Sequence, residues 1–134
     1  ISVKVASTDQ NLTAQASVII EPGDPKTLFY ENNPALGILF NQAIGSIFTL
    51  RNSELKIKAI PYFFSLTSAL DSAIGYIWSV ADSPVLGSAD DGGALVLRPQ
   101  DGASGSALVS LQTSRKDKVL QSDSTSFTLL FGKK

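Results

Sequence analysis

Three aspartates, Asp82, Asp90 and Asp91, fall in one glycine-rich stretch, and clustered carboxylates are the ligands a calcium ion takes. Their spacing matches neither an EF-hand nor an Asp-x-Asp pattern, so a solvated turn is the preferred reading and calcium the lesser one. Glu21, Glu31 and Glu54 are the carboxylates from which a glycosidase pair would be drawn, but no motif brings two of them to one cleft. Ser104, Ser106, Ser110, Ser114, Ser122, Ser124 and Ser126 are potential nucleophiles with only Lys116 and Lys118 nearby as bases. A Ser-Lys dyad needs a buried lysine of lowered pKa, whereas Arg115-Lys116-Asp117-Lys118 reads as a solvated hairpin tip. Asn11-Leu12-Thr13 has the form of a glycosylation sequon, a motif too short to carry weight alone.

Composition narrows the chemistry further. The 134 residues include no His, Cys or Met. The usual zinc, haem and iron–sulfur ligands, the His-dependent nucleophile pairs and any disulfide framework are therefore lacking. Eleven basic residues face twelve acidic ones. With no basic cluster, nucleic acid and anionic membrane surfaces are not expected partners. Apolar stretches such as Ala59 to Leu66 fall far short of the roughly 20 residues that cross a bilayer as a helix. The sequence starts at Ile1 rather than Met, which suggests a processed or excised piece. The absence of Cys fits either the cytosol or a bacterial surface.

Hydrophobicity alternates with period two along nearly the whole chain, the signature of strands with one buried face. Ile1, Val3 and Val5, then Ala14, Ala16, Val18 and Ile20, flank the turn residues Thr8 to Asn11 and predict a hairpin. Two short edge strands are expected at Thr27 to Glu31 and Gly37 to Phe40, separated by Asn32-Asn33-Pro34. Further strands are expected at Ile47 to Leu50, at Glu54 to Ile60 ending before Pro61, at Ile74 to Val80, at Ala94 to Arg98, from Ala107 and through Phe127 to Phe131. Leu66 to Ser72 allows a single helical turn, and Ala81 to Gly93 reads as a crossover loop. The expected inner face comprises Leu55, Ile57, Tyr76, Trp78, Leu95, Leu97, Val109, Leu111, Phe127 and Leu129, with Trp78 at its centre.

Ile1 to Ser7 runs parallel in character to Ala107 to Thr113, and each is followed by a polar turn and a further apolar strand. The preferred division makes residues 1–22 a β-hairpin, either the end of a preceding domain or an assembly element, and residues 23–134 a sandwich domain. Pro22-Gly23-Asp24-Pro25 has the composition of a junction. A lone hairpin is marginal in water, so its apolar face must be covered by something.

Phe29, Tyr30, Tyr62, Phe63 and Phe64 form the candidate interface, because consecutive aromatics cannot all enter one sheet face. At least one of Tyr62, Phe63 and Phe64 is expected to face outward, as an interdomain contact or as a carbohydrate-binding platform.

Tyr76-Ile77-Trp78-Ser79-Val80, a Gly/Asp-rich loop and then Gly105 to Leu111 give the chain a pattern that resembles the immunoglobulin-like modules of bacterial surface proteins, the PKD-like group above all. The Pro61 to Ser65 and Leu28 to Glu31 segments also resemble tandem Ig-like proteins of ultra-small candidate-phylum bacteria. Ala81-Asp82-Ser83-Pro84 stands where the PKD pattern has Gly-Asp-Gly. The resemblance implies spacers, adhesins or assembly modules. The expectation is thus an all-β, immunoglobulin-like antiparallel sandwich of about seven strands plus the N-terminal hairpin. Its expected role is that of a non-enzymatic extracellular or cell-surface module, a spacer or adhesion domain in a tandem array, needing no cofactor and contacting neighbouring Ig-like domains or subunits. The alternative is a subunit of a surface filament assembled by strand addition.

Overall fold

Period-two alternation becomes eleven strands in the computed structural model, which describes residues 1–9, 11–19, 23–65, 72–87, 92–118 and 120–132. Strands β1 (Ser2–Ala6) and β2 (Thr13–Ser17) pair only with each other. Strands β3 (Lys26–Asn33), β4 (Gly37–Ala43), β6 (Leu55–Tyr62) and β9 (Ala94–Leu97) form a four-stranded sheet in the order β4-β3-β6-β9. The facing sheet contains β5 (Ile47–Thr49), β7 (Ile74–Val80), β8 (Ser83–Val85), β10 (Gly105–Arg115) and β11 (Ser122–Phe131), in the order β5-β11-β10-β7-β8. The pairings are antiparallel except β5 with β11, which is parallel. Connections cross between sheets at β4 to β5, β5 to β6, β6 to β7, β8 to β9 and β9 to β10, so the described residues between 25 and 132 form an all-β sandwich. Among the described residues the two sheets contain nine strands, the segments expected for a frame of about seven plus the three-residue β8.

The core forms where alternating residues of the two sheets meet. Phe29 on β3 stacks on Trp78 of β7 at 5.5 Å between ring centres and meets Phe127 of β11 edge-on at 5.4 Å. Ile57 and Leu55 on one sheet, and Val109 and Leu111 on the other, complete a layer closed to water. Eight of the ten residues expected on the inner face are buried, while Tyr76 and Leu97 pack against it partly exposed. Toward one end the inner face turns polar: β10 passes from Leu111 to Thr113 and Arg115, and Thr113 pairs with Asp123 on β11. Asp123 Oδ2 accepts the Thr27 backbone N–H at 2.6 Å and so ties β3 to the opposite sheet.

Four expectations about elements need correction. β3 is an interior strand rather than an edge strand, with β4 on one side and β6 on the other. β6 continues through Pro61, which faces Thr27. The β6–β9 ladder has already ended at Lys58 and Ala94, so no partner there requires an N–H from Pro61. The stretch expected to be only a crossover loop contains β8, paired to β7 by the two-residue turn Ala81-Asp82. Arg115 is buried at the end of β10 and holds Asp117 at 2.6 Å, leaving only Lys116, Asp117 and Lys118 as an exposed tip. The expected helical turn at Leu66 to Ser72 lies, except for Ser72, outside the described residues.

Candidate functional site

The candidate aromatic residues occupy three different places. Phe29 belongs to the core and cannot serve as an exposed contact; neighbouring residues of a strand point to opposite faces, and Phe29 takes the inner one. Tyr30, next along β3, therefore lies on the outer face. It is buried there against Phe40 of β4, at 5.2 Å between rings, and its hydroxyl hydrogen-bonds that of Tyr62 at 3.0 Å. The hydrogen bond, and then burial, hold the Tyr30 phenol above its ordinary pKa of 10.0. Phe64 is buried. Beside it, Ser65 is clamped by Gln121, whose Oε1 accepts the Ser65 N–H at 3.0 Å and whose Nε2 donates to Ser65 Oγ at 2.8 Å.

Phe63 is the outward ring of the triplet, 67% exposed, with its backbone at φ 62°. Such a conformation is uncommon for a bulky residue and points to a constraint. The ring covers Gly23 so closely that a Cβ there would lie 3.3 Å from Phe63 Cγ. Phe40, Tyr30, Tyr62 and Phe63 thus make a ribbon across the outer face of the four-stranded sheet, ending at the junction before β3. Phe40 was not among the candidates because its side of β4 is set by an irregular pairing.

A second feature is the hairpin itself. Ile1 and Val18 exchange backbone hydrogen bonds at 2.7 and 2.8 Å, and the register places Val3 opposite Ala16 and Val5 opposite Ala14. One face is therefore wholly apolar, and the other carries Ser2, Lys4, Thr13, Gln15 and Ser17. Every residue of both strands is exposed. The corresponding hairpin β10–β11 has the same alternation with its face covered: Val109, Leu111, Phe127 and Leu129 are 0–3% exposed, against 57% and 61% for Val3 and Val5.

The third feature is a lateral slot of about 480 Å³ between β4 and β5, where the chain passes from one sheet to the other through Ile44, Gly45 and Ser46. It exists because β4 is bulged. Tyr30 pairs with Ala43 and Asn32 with Ile38, so β4 spends three extra residues over that span and bows away from β3. Buried or half-buried Leu39, Ile44, Phe48 and Leu55 form its floor, and Asn41, Gln42, Thr49 and Asn52 its exposed rim. Asn41, Gln42 and Asn52 make no side-chain hydrogen bond among the described residues. Nothing in the sequence announces the slot, since it arises from the bulge and not from a motif.

Among the described residues, only Glu31 and Glu54 of the remaining carboxylate candidates border a common cavity, the slot. Asp82 sits in the β7–β8 turn, while Asp90, Asp91 and Glu21 lie outside the described residues. Among the described residues no group of three potential metal ligands converges. Glu31 and Glu54 both line the slot, but Glu54 is engaged by Arg98 at 2.6 Å and Lys56 at 3.4 Å. The bond from Arg98 holds the Glu54 carboxyl below its ordinary pKa. Lys116 Nζ donates to the Ser72 carbonyl at 3.2 Å, on the exposed side of the sheet. The serines at 110, 124 and 126 belong to the outer face of the five-stranded sheet, around a shallow depression of about 290 Å³. No family model matches the chain, and neither does any curated protein or solved structure.

Proposed function

We propose that the chain is a non-enzymatic module of an extracellular, cell-surface protein of bacterial type, a spacer or adhesion domain that works by contact with neighbouring immunoglobulin-like sandwiches. The observation that carries this reading is the β1–β2 hairpin, which has a core-type apolar face and no core of its own. Such a face is stable when covered. In a tandem array β1–β2 is the closing hairpin of the preceding bead, as β10–β11 is of this one, and Phe63 seats the junction at Gly23. The PKD-like pattern around Trp78 supports the same assignment.

A second reading, a filament subunit joined to the next by strand addition, is favoured by one specific feature, the open slot beside β5. An antibody raised against the β10–β11 hairpin, applied to intact source cells and to denatured extracts, tests the tandem reading. Labelling of intact cells and a band much heavier than this chain are expected. An intracellular signal, or a free polypeptide of this length, overturns it.

A further inference from the structure

The molecule presents an uncovered amphipathic hairpin and, elsewhere, an unfilled slot beside a free sheet edge. We propose that the slot between β4 and β5 receives the β1–β2 hairpin of a second copy, added edgewise to β5. This inference rests on the second reading above and names its acceptor site.

Backbone geometry makes β5 the receptive edge. Ser46 O accepts from Thr128 and Leu50 N donates to Leu130, so these alternate positions face β11. Strand groups alternate in direction, and the N–H and C=O of Ile47 and Thr49 therefore point away from β11, toward the slot. The other three edges of the body are guarded: β8 carries Pro84, β4 is bulged, and β9 is four residues long and followed by Arg98 and Pro99.

The hairpin supplies the complementary half. Because Ile1 bonds Val18 and Ser7 bonds Leu12 within the hairpin, the backbone groups of Ser2, Lys4 and Ala6 face its outer edge. Docked against β5 with its faces in phase, the hairpin turns Ile1, Val3 and Val5 inward onto the Leu39, Phe48 and Leu55 floor. Its polar residues then continue the outer face of β5 and β11, where Thr49, Ser126 and Thr128 carry hydroxyls beside the apolar Ile47 and Leu130. Asn41 and Gln42 at the rim supply amide donors and acceptors to the incoming backbone. Donor and acceptor are different surfaces, so the contact is head-to-tail and propagates or closes into a ring.

The test is solution mass by light scattering of the full chain over a wide concentration range, beside two variants. Val3→Lys spoils the donor face. Thr49→Pro removes the edge N–H of the acceptor at a position where β11 needs none. Circular dichroism and Trp78 fluorescence must match the parent in both. The expected result is growth of the native chain beyond a single-chain mass, with each variant alone remaining single. Mixed, the two variants form a complex of about twofold mass that grows no further, because the intact donor of one meets the intact acceptor of the other. Association of Thr49→Pro alone overturns the slot as acceptor while leaving the hairpin as contact element. Association unchanged by Val3→Lys overturns both, and a native chain that stays single throughout overturns the slot and returns the hairpin to a preceding bead.

Discussion

The Trp78 indole N–H donates to the Gly92 carbonyl at 2.9 Å, fastening the centre of the core to the connection that returns the chain to β9. The same carbonyl approaches Gly87 so closely that a Cβ there would lie 2.6 Å from it. One indole and one missing side chain thus bring together Gly87 and Gly92, the described residues on either side of the passage from β8 to β9. Trp78→Phe keeps most of the ring but leaves the Gly92 carbonyl without this donor, and is expected to cost about 1–3 kcal/mol. Trp78→Ala empties the centre as well and is expected to cost about 3–5 kcal/mol. Urea denaturation followed by far-ultraviolet circular dichroism measures both. Equal losses for the two would show that the hydrogen bond, not the packing, dominates.

Thr27 and Thr113 bury hydroxyls that have no hydrogen-bond partner among the described residues. A buried hydroxyl without a partner costs about 1–3 kcal/mol on the protein mutational scale. Thr27→Val and Thr113→Val replace it with a methyl group of similar size. Each is expected to raise the urea midpoint without changing the slope. A fall in the midpoint would mean that these hydroxyls are bonded in solution.

Ala81 and Asp82 both have positive φ, at 48° and 63°, which makes the β7–β8 link a two-residue turn of the I′ kind. Neither residue favours that conformation, and each L-residue held there costs roughly 1–2 kcal/mol. The double substitution Ala81→Asn with Asp82→Gly installs the sequence such a turn prefers. It is expected to stabilise the chain by about 1 kcal/mol, read as a rise in the thermal midpoint.

That turn also shows why parts of the structure were illegible. Strands whose one face is apolar and whose other face is wet, such as β6 and β10, could be read directly, since alternation specifies both the element and its inner residues. β8 could not, because Ala81-Asp82 lacks the Asn-Gly signature and Pro84 argued against a strand. In Phe29-Tyr30 both rings are apolar, so alternation alone does not decide which one enters the core; pairing with β6 does, by placing Phe29 opposite Ala59. The hairpin's apolar face was legible from its pattern, but its exposure was not. The slot was not, because it depends on how many residues β4 spends between two pairings.

Tyr30 provides a test at alkaline pH. Its phenol is raised above 10.0, first by the hydrogen bond with Tyr62 and then by burial, both of which favour the neutral form. A group whose folded pKa lies above its unfolded value contributes its full stability below the unfolded value, and that contribution disappears as pH rises through the folded one. The parent should therefore exceed Tyr30→Phe in stability by a constant margin from neutral pH to about 10, with the margin shrinking above that. Phenolate absorbance provides a second measurement: in the parent one of the three tyrosines should ionise late, whereas in Tyr62→Phe that late step should move toward the ordinary value. A margin that is unchanged through the alkaline range, or three tyrosines ionising together in the parent, would show that the Tyr30–Tyr62 contact does not persist in solution.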